Sequence, residues 1–223
     1  MTVASSTVEE SITTFLTHCH RRQYPAKASI IRQGDPAGEL YYIISGSVTV
    51  LLEDDKGHEI VLAYLNPGDF IGEIGLFNAD ASRTALVRAR APSEIAQISY
   101  KKLRALTELY PDLIIAMTSQ IARRLRNTNR KLGDLAFMDV YGRVARTLLD
   151  LCDQPDAMTH PDGMQIRVTR QELARLVGCS REMVGKVLKD MEEQKHIEVS
   201  GKNIVVLGVL PKSARAASEL AES

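Results

Sequence analysis

The sequence contains no tryptophan, only 5% aromatic residues, and no formal net charge across its 223 residues. Because the charges balance, a general electrostatic attraction to nucleic acid or to a membrane surface is not indicated, and any such contact must be local. No apolar run approaches the roughly 18 residues of a membrane-spanning helix, and Glu9 and Glu10 stand where a signal peptide has a basic flank. We therefore expect a soluble, cytoplasmic protein with one large domain or two modest ones.

Cysteine is scarce as well. Cys19, Cys152 and Cys179 are scattered and odd in number, which argues against a disulfide framework and favours a reducing compartment. The triplet His18-Cys19-His20 has the residue types of a metal site, but no second ligand pair follows at a zinc-like spacing. Adjacent residues cannot all face one ion in an ordinary loop. The sequence thus predicts no metal site.

Residues 26–100 are predicted to form strands separated by turns. Runs of β-branched and aromatic residues are interrupted by Ser45-Gly46, by Asp55-Lys56-Gly57 and by Asn66-Pro67-Gly68-Asp69. The last of these is a strong turn signal, because proline presets φ and glycine accepts a positive φ. Strands at this even spacing favour a compact antiparallel sandwich or barrel.

The hydrophobic period changes between Pro111 and Phe137, where a helix is predicted. Its apolar stripe advances by alternating steps of three and four residues, through Ile114, Met117, Ile121, Leu125, Thr128, Leu132 and Leu135. Such a helix either packs on its own domain or forms a two-stranded coiled coil with a second copy, and a seam this short favours neither. Thr128 is a polar residue within this apolar stripe, and it either sets the register of a helix pair or touches a ligand.

Residues 139–210 are predicted to form a second domain. Asp139 can cap a helix that continues to about Cys152. The segment QPDAMTHPDGMQ, residues 154–165, is predicted to be an exposed loop because it contains two Pro-Asp pairs and a glycine.

Two capped helices are predicted after that loop. Thr169 begins the first with a T-x-x-E capping box, Gly178 ends it, and Ser180 caps the second. The inner face of the second helix is predicted to hold Met183, Val184, Val187, Leu188 and Met191. A helix, a short glycine-containing turn and another helix are typical of a helix-turn-helix. Strands that turn at Ser200-Gly201 would add a small wing.

The charge of this region favours contact with DNA. Residues 167–189 hold six basic and two acidic residues, a local net charge of +4 in a neutral chain. Arg181, Glu182, Gly185 and Lys186 lie opposite the apolar stripe in the first turns of the second helix, which a recognition helix presents to the major groove. Arginine can bond to guanine and glutamate to cytosine; the alternative is a solvated charged face. The predicted DNA contacts are Thr169, Arg170, Gln171, Ser180, Arg181, Glu182 and Lys186.

The segment GEIGLFNADASRTA, residues 72–85, combines residue types that suit a small phosphorylated ligand. Gly72 and Glu73 are predicted to begin a short helical turn, whose free backbone N–H groups bind anions. Arg83 can neutralise one phosphate charge with a forked bond, and the Thr84 hydroxyl can donate to the same phosphate. Glu73 suits a ribose hydroxyl. The residues therefore suggest a compact ribose phosphate with a single charge, and the alternative is a surface Glu–Arg pair that braces a loop.

The chain resembles the cyclic AMP receptor protein family (catabolite activator type) of bacterial transcription regulators from about His18 to Gly208. The resemblance is carried by HCHRRQYPAK, LYYIISGSVTVL, YLNPGDFIGEIGLF, ISYKKLR, ARRLRNTNRKLGDLAFMDV and QPDAMTHPDGMQIRVTRQELARLVGCSREMVGKVL. The motif FIGE…SRTA stands where the family has its phosphate-binding cassette. The resemblance implies an α+β fold, with an antiparallel β-roll that binds cyclic AMP, a long dimerisation helix and a C-terminal winged helix-turn-helix. It also implies a homodimer on palindromic double-stranded DNA.

The residue patterns and the resemblance together predict four segments, of which the tail has no counterpart in the family. The expected segments are a cyclic-nucleotide-binding β-roll (1–110), a dimerisation helix with its hinge (111–138), a winged helix-turn-helix domain (139–210) and a disordered tail rich in alanine and serine (211–223). Cyclic AMP would bond to Thr128 and to the partner's Asn129, extend the coiled coil and reorient the DNA-binding domains about the hinge at residues 134–139.

Site residues follow from the resemblance position by position. The implied contacts of cyclic AMP are Gly72, Glu73, Ile74, Arg83, Thr84, Arg124, Thr128 and Asn129. Asn129 departs from the family's serine or threonine; because asparagine can pair with an adenine edge, it preserves or alters base selection. Lys186 replaces the arginine that is usual among the base-reading residues, so we expect looser discrimination there.

Two further surfaces match those with which the family contacts RNA polymerase. The implied polymerase contacts are Ala157, Thr159, His160 and Gly163 in one surface, and His20, Arg22 and Lys102 in the other. Arg22 replaces a histidine that is usual in the family.

Four alternatives compete with a cyclic AMP-responsive regulator. A pocket for cyclic di-GMP is disfavoured by Glu73, which argues for a ligand with a free ribose 2′-hydroxyl and a single phosphate. A redox or gas sensor would need a cysteine cluster or a haem ligand, and the N-terminal segment holds only Cys19. An enzyme would need a nucleophile with its base, a metal motif or a Walker loop, none of which the sequence contains. A constitutive DNA binder with a vestigial pocket is favoured by Asn129 alone.

Overall fold

The computed structural model describes residues 3–77 and 82–211. The chain divides into two compact units, Met1–Asn129 and Arg130–Ser223. That division lies within the predicted helix, so the four-segment division remains a prediction, and most of the predicted tail lies outside the described residues. No helix in the described ranges is long and apolar enough to cross a membrane.

The first unit is built from two antiparallel four-stranded sheets with helices beside them. Its elements are α1 (Val3–Thr17), β1 (His20–Tyr24), β2 (Ser29–Ile31), β3 (Glu39–Ser45), β4 (Val48–Glu53), β5 (Glu59–Leu65), β6 (Phe70–Ile71), α2 (Ile74–Phe77), β7 (Leu86–Ala89), β8 (Ser93–Ser99), α3 (Tyr100–Leu109) and α4 (Asp112–Phe137). The strand orders are β1-β8-β3-β6 and β2-β7-β4-β5. The predicted antiparallel β-roll is confirmed.

Strand β3 lies between two hydrophobic clusters of the first unit. Leu40 and Tyr42 pack into a cluster with α1, α3 and α4. Tyr41 and Ile43 belong to a second cluster, formed with strands of both sheets. Because successive side chains of a strand point to opposite faces, a strand buried on both faces is apolar throughout. This is the origin of the continuous run LYYII.

Helices α1 and α3 were not predicted from the sequence. Phe15 of α1 is fully buried and packs edge-on against Tyr42 and Phe70, with ring centroids 6.0 and 5.6 Å apart. Ser99 caps α3 by accepting a hydrogen bond from the backbone N–H of Lys102. The region 1–110 is therefore a β-roll flanked by helices at both ends of the segment.

Helix α4 confirms the helix predicted between Pro111 and Phe137, and its two halves have different surroundings. Leu113 and Met117 are each only 1% exposed, in the core of the first unit. Leu125 and Leu132 are 59% and 66% exposed. The first half of the stripe thus packs on its own unit, as the first interpretation of this helix predicted. The second half is exposed, as a coiled coil with a second copy requires.

The second unit combines three helices with a four-stranded antiparallel sheet and part of α4. Its elements after α4 are α5 (Val140–Cys152), β9 (Met158–His160), β10 (Gly163–Arg167), α6 (Arg170–Val177), α7 (Arg181–Glu193), β11 (Ile197–Ser200) and β12 (Asn203–Leu207), and the strand order is β11-β12-β10-β9. The predicted caps are confirmed: Asp139 accepts from Gly142 N on α5, Thr169 from Glu172 N on α6, and Ser180 from Met183 N on α7. Gly178 ends α6 with a φ of +72°.

Three local predictions in this unit are wrong. Part of the predicted loop at residues 154–165 is a hairpin in which Thr159 pairs with Met164, because Met164 and Ile166 alternate into the core. The wing turns at residues 201–202, since Ser200 already pairs with Asn203. Met183, predicted for the inner face of α7, is 40% exposed because it lies at the edge of the buried face that Val184, Val187 and Leu188 form.

Candidate functional site

Arg83 is fixed in the first unit by both its backbone and its side chain. Its N–H donates to Asp35 O, and its own carbonyl accepts from Gly34 N, both at 2.8 Å. The guanidinium donates to Glu39 O at 2.8 Å and to the Tyr100 hydroxyl at 3.1 Å. Within the described residues its hydrogen bonds go to neutral oxygens only, so its full positive charge is available to an anion.

Glu73 and Arg83 are the only charged side chains that are buried among the described residues, at 7% and 8% exposure. Burying a charge is costly unless another charge or several hydrogen bonds compensate for it. Glu73 Oε1 accepts from Arg124 Nη1 of α4 at 2.8 Å, which supplies that compensation. The two buried charges of opposite sign stand near the two ends of the segment 72–85, in agreement with the ribose-phosphate site expected from its residue types.

Gly72 brings its backbone close to Arg83. Its φ is +84°, and a Cβ added to it would lie 2.4 Å from Arg83 Nη1. Its carbonyl accepts from both the Tyr100 hydroxyl, at 2.5 Å, and Arg83 Nη1, at 3.3 Å. Gly75 is also closely packed, since an added Cβ would lie 2.5 Å from Ala37 Cβ. Both glycines of the motif therefore allow close approach of neighbouring groups.

The remaining predicted nucleotide contacts are exposed. Ile74 begins the four-residue helix α2, which the predicted helical turn anticipated, and Thr84 follows Arg83 directly. Thr128 and Asn129 lie one turn beyond Arg124 on α4, and both are exposed. The structure thus brings Gly72, Glu73, Arg83 and Arg124 together by direct contacts, while Thr84, Thr128 and Asn129 present free surfaces.

Sequence reasoning missed three residues of this site. Tyr100 bonds to Gly72 and Arg83, Glu39 provides the carbonyl that receives Arg83, and Gln120 bonds to the strand before Gly72. Burial raises the pKa of Tyr100 although Arg83 opposes this effect, so the phenol remains a neutral donor at physiological pH. No local spacing signals these residues, because each lies far along the chain from the residue that it holds.

The predicted DNA contacts lie on α6 and α7. Arg181, Glu182 and Lys186 are exposed on α7, opposite its buried residues Val184, Val187, Leu188 and Met191. Arg170 and Gln171 are exposed at the start of α6, and Thr169 and Ser180 use their hydroxyls as caps. One shallow depression is lined by Arg170, Glu182, Lys186, Lys189 and Glu192. The depression therefore brings Arg170 of α6 beside Glu182 and Lys186 of α7.

The residues expected to face RNA polymerase fall into two groups in the structure. His20 and Arg22 are exposed on the edge strand β1, and Lys102 is exposed in the first turn of α3. His20 pairs with Gln97 and Arg22 with Ile95 of β8, and Lys102 follows the end of β8 by three residues. Ala157, Thr159, His160 and Gly163 lie in or beside the β9–β10 hairpin of the second unit.

Comparison with known proteins identifies both units. Residues 21–110 match the family model of the cyclic nucleotide-binding domain, and residues 142–209 match that of the Crp-like helix-turn-helix domain. The chain is 60% identical over 196 residues to the cAMP-activated global transcriptional regulator Vfr of Pseudomonas aeruginosa, with 86% of this chain and 92% of that protein covered. It is 53% identical over 208 residues to the cAMP-activated global transcriptional regulator CRP of Salmonella typhimurium, with 93% and 99% covered.

A solved structure supports the same assignment. The c-di-GMP responsive global regulator CLP of Xanthomonas campestris superposes with a TM-score of 0.84 at 48% identity, covering 90% of this chain and 100% of that chain. The family resemblance seen in the sequence motifs is therefore confirmed over both units. The chain belongs to the cyclic AMP receptor protein family of bacterial transcription regulators.

Proposed function

We propose that the chain is a cyclic AMP-responsive transcription regulator that binds palindromic operators as a homodimer. The observation that carries the proposal is the pair of buried opposite charges, Glu73, which follows the positive-φ residue Gly72, and Arg83, which donates to the Gly72 carbonyl. A single buried guanidinium suits one phosphate charge, and a buried carboxylate suits a ribose hydroxyl. Cyclic AMP combines these two groups in one compact molecule.

Cyclic AMP is favoured over cyclic di-GMP as the effector. A relative of known structure is described as c-di-GMP responsive, so the same scaffold is compatible with that second ligand. Cyclic di-GMP carries two phosphates and uses its ribose 3′ and 5′ oxygens to close the ring. Both nucleotides close their rings through ribose 3′ and 5′ oxygens and keep the 2′-hydroxyl that Glu73 suits, so the distinction rests on phosphate. The single buried guanidinium of the described residues, Arg83, suits the one phosphate of cyclic AMP. The relatives at 53% and 60% identity are both described as cAMP-activated.

A second copy of the chain is the proposed partner of α4. Leu125, Leu132 and Leu135 are about half or more exposed on one face of this helix, and they continue the spacing of a coiled-coil seam. An identical helix offers the same stripe, so the contact closes with two-fold symmetry. Thr128 and the partner's Asn129 then meet at the seam, where the adenine base would contact both.

The homodimer would present two copies of α7 to DNA. A two-fold dimer places its recognition helices in successive major grooves on one side of the duplex, which accounts for a palindromic operator. Arg181 and Glu182 are exposed to read base edges, while Arg170 and Gln171 hold the phosphate backbone. Cyclic AMP shifts the equilibrium towards the DNA-binding state only by its differential affinity for the two states.

A contact with RNA polymerase completes the proposal. His20 and Arg22 on β1 and Lys102 at the start of α3 are exposed basic residues, and such residues suit an acidic surface on a partner protein. The β9–β10 hairpin supplies the second surface. Such a regulator works in the cytoplasm, where the DNA and the polymerase are, and it needs no catalytic chemistry of its own.

Fluorescence anisotropy of a labelled palindromic operator tests the proposal. The protein is titrated at fixed salt without nucleotide, with cyclic AMP and with cyclic di-GMP, and tight binding with cyclic AMP alone is expected. Equal binding in all three conditions would make the protein a constitutive DNA binder, and a response to cyclic di-GMP alone would reassign the pocket. Arg83→Leu should lose the response. Arg181→Ala should lose discrimination against an operator with a mutated guanine, by about 1–3 kcal/mol.

A further inference from the structure

Gln120 of α4 bonds to the strand that leads into the nucleotide site. Its side-chain Oε1 accepts from Phe70 N at 2.9 Å, and its Nε2 donates to Gly68 O at 2.7 Å. Both polar groups of the amide are therefore used, on two backbone groups that are two residues apart. A neighbouring strand would form hydrogen bonds to backbone groups at this spacing, so the Gln120 amide takes the place of such a strand.

Strand β6 needs this support because it is short and lies at a sheet edge. It contains only two residues, Phe70 and Ile71, and is the last strand in the order β1-β8-β3-β6. On its inner side it pairs with Tyr41 and Tyr42 of β3. Its outer side would leave backbone groups unpaired. Gln120 and Arg124, whose Nη2 donates to Phe70 O at 2.5 Å, occupy that outer side.

Gln120 also contacts the arginine that holds Glu73. Arg124 follows Gln120 by one helical turn, and its Nη2 lies 3.5 Å from Gln120 Oε1. The other nitrogen, Nη1, donates to Glu73 Oε1 at 2.8 Å. One amide thus fixes both the strand that ends two residues before Glu73 and the guanidinium that orients the Glu73 carboxylate. Displacement of Gln120 would release both constraints on that carboxylate together.

We propose that Gln120 is a positioning residue for recognition of the ribose 2′-hydroxyl of the bound nucleotide. It holds β6 and Arg124 so that the carboxylate of Glu73 accepts a hydrogen bond from that hydroxyl. The inference rests on the proposed function, because it assumes that a cyclic ribonucleotide occupies the site. It concerns ligand selectivity, since Gln120 acts through Glu73 and Arg124 and is not itself a ligand contact.

The test compares two ligands that differ by a single hydroxyl, cyclic AMP and 2′-deoxy cyclic AMP. Calorimetric titration measures the Kd of each for the wild-type chain, for Gln120→Met and for Ser119→Ala. Methionine has the length of glutamine and suits a helix, but it cannot bond to the strand. Ser119 is the exposed neighbour of Gln120 on α4, so its replacement is the matched control.

The wild-type chain should bind cyclic AMP at least about tenfold more tightly than the deoxy ligand, because a hydrogen bond to a carboxylate is lost. Gln120→Met should reduce that ratio to about threefold or less, through weaker binding of cyclic AMP with binding of the deoxy ligand nearly unchanged. Ser119→Ala should keep the wild-type ratio. A loss that is merely structural would weaken both ligands equally and leave the ratio unchanged.

Each other outcome overturns a distinct statement. If folded Gln120→Met keeps the wild-type ratio of the two Kd values, only the role of Gln120 is overturned. A wild-type chain that binds both ligands equally would overturn the role of Glu73, and Gln120 with it, while leaving cyclic AMP as effector. No binding of cyclic AMP by the wild-type chain would overturn the proposed function itself. If Gln120→Met does not fold, Gln120→Glu decides in its place: it lacks the donor to Gly68 O, so a retained ratio refutes the inference and a reduced ratio supports it.

Discussion

Gly72→Ala is expected to weaken cyclic AMP binding by displacing Arg83. The φ of Gly72 is +84°, in the left-handed region that costs a residue with a Cβ roughly 1–2 kcal/mol. The added Cβ would lie 2.4 Å from Arg83 Nη1 and 3.2 Å from the carbonyl oxygen of Glu39. The carbonyl belongs to the sheet and cannot move easily. The guanidinium must therefore shift away from the position in which it would meet a phosphate.

The displaced guanidinium sets the size of the effect. The proposed contact between Arg83 and the phosphate is a hydrogen bond between charged groups, worth about 1.5–3 kcal/mol. Each 1.4 kcal/mol changes a dissociation constant about tenfold. We expect the Kd for cyclic AMP to rise about ten- to a hundredfold, in addition to the backbone cost of roughly 1–2 kcal/mol in folding stability.

Gly57→Ala is the matched control for this prediction. Gly57 has a similar φ of +79°, and the nearest atom to its added Cβ is Glu53 Oε1 at 3.9 Å. The control variant therefore bears the same backbone cost without a collision at the proposed site. Urea unfolding measures the stability of both variants, and calorimetric titration measures their affinity for cyclic AMP.

The comparison refutes the reasoning if the two variants bind cyclic AMP equally well and lose similar stability. In that case the collision with Arg83 does not matter to the ligand, and the assignment of Arg83 to the phosphate is wrong. A Gly72→Ala variant with wild-type stability would contradict the positive φ at this position instead.

Three further predictions follow from contacts elsewhere in the chain. Asp134→Arg should lower the free energy of unfolding by about 1–3 kcal/mol, because it breaks an ion pair with Arg146 in which the Asp134 side chain is only 15% exposed. Adding Arg146→Asp should recover most of this loss in urea unfolding, and no recovery would contradict the pair. Met117→Ala should lower the free energy of unfolding by about 2–5 kcal/mol, because it removes a buried side chain. Leu125 is 59% exposed, so Leu125→Ala should mainly weaken self-association, measured by sedimentation. Equal losses of stability in the two variants would contradict this difference. Burial raises the pKa of Cys19 from 9.0 to about 12, so the reactive thiolate is scarcer in the folded chain. At pH 8, alkylation of Cys19, followed by mass spectrometry, should be about a thousandfold slower in the folded chain than in urea. Equal rates would contradict the shift in pKa.

The elements that the sequence predicted are those with local signals. The caps at Asp139, Thr169 and Ser180 depend on residues only three positions apart, so the helix starts could be placed closely. Turn residues between apolar runs predicted an antiparallel sandwich or barrel, and the family resemblance narrowed this prediction to a β-roll. Helix α1 has no comparable start signal, and it is held by tertiary contacts such as the packing of Phe15 on Tyr42. Contacts of that kind leave no periodic mark in the sequence.

The candidate site shows the same limit. Gly72, Glu73 and Arg83 belong to one short segment, so their residue types and spacing alone suggest a ribose-phosphate ligand. Tyr100 and Gln120 contact that segment from 28 and 50 residues further along the chain. Their residue types are unremarkable in their own helices, where they look like ordinary surface positions. Only the fold places a phenol and an amide against the backbone of the motif.

Helix α4 explains why periodicity could predict a helix without predicting what covers it. Its apolar stripe keeps one spacing along its length, yet Met117 is 1% exposed and Leu132 is 66% exposed. Periodicity depends only on the residues of the helix itself, whereas burial depends on which surface lies opposite. Between these two halves stand Gln120 and Arg124, which hold the strand and the carboxylate of the proposed nucleotide site. The proposed nucleotide contacts therefore join a half that is anchored in the β-roll to a half that carries the proposed seam, and we expect a ligand at this junction to influence both.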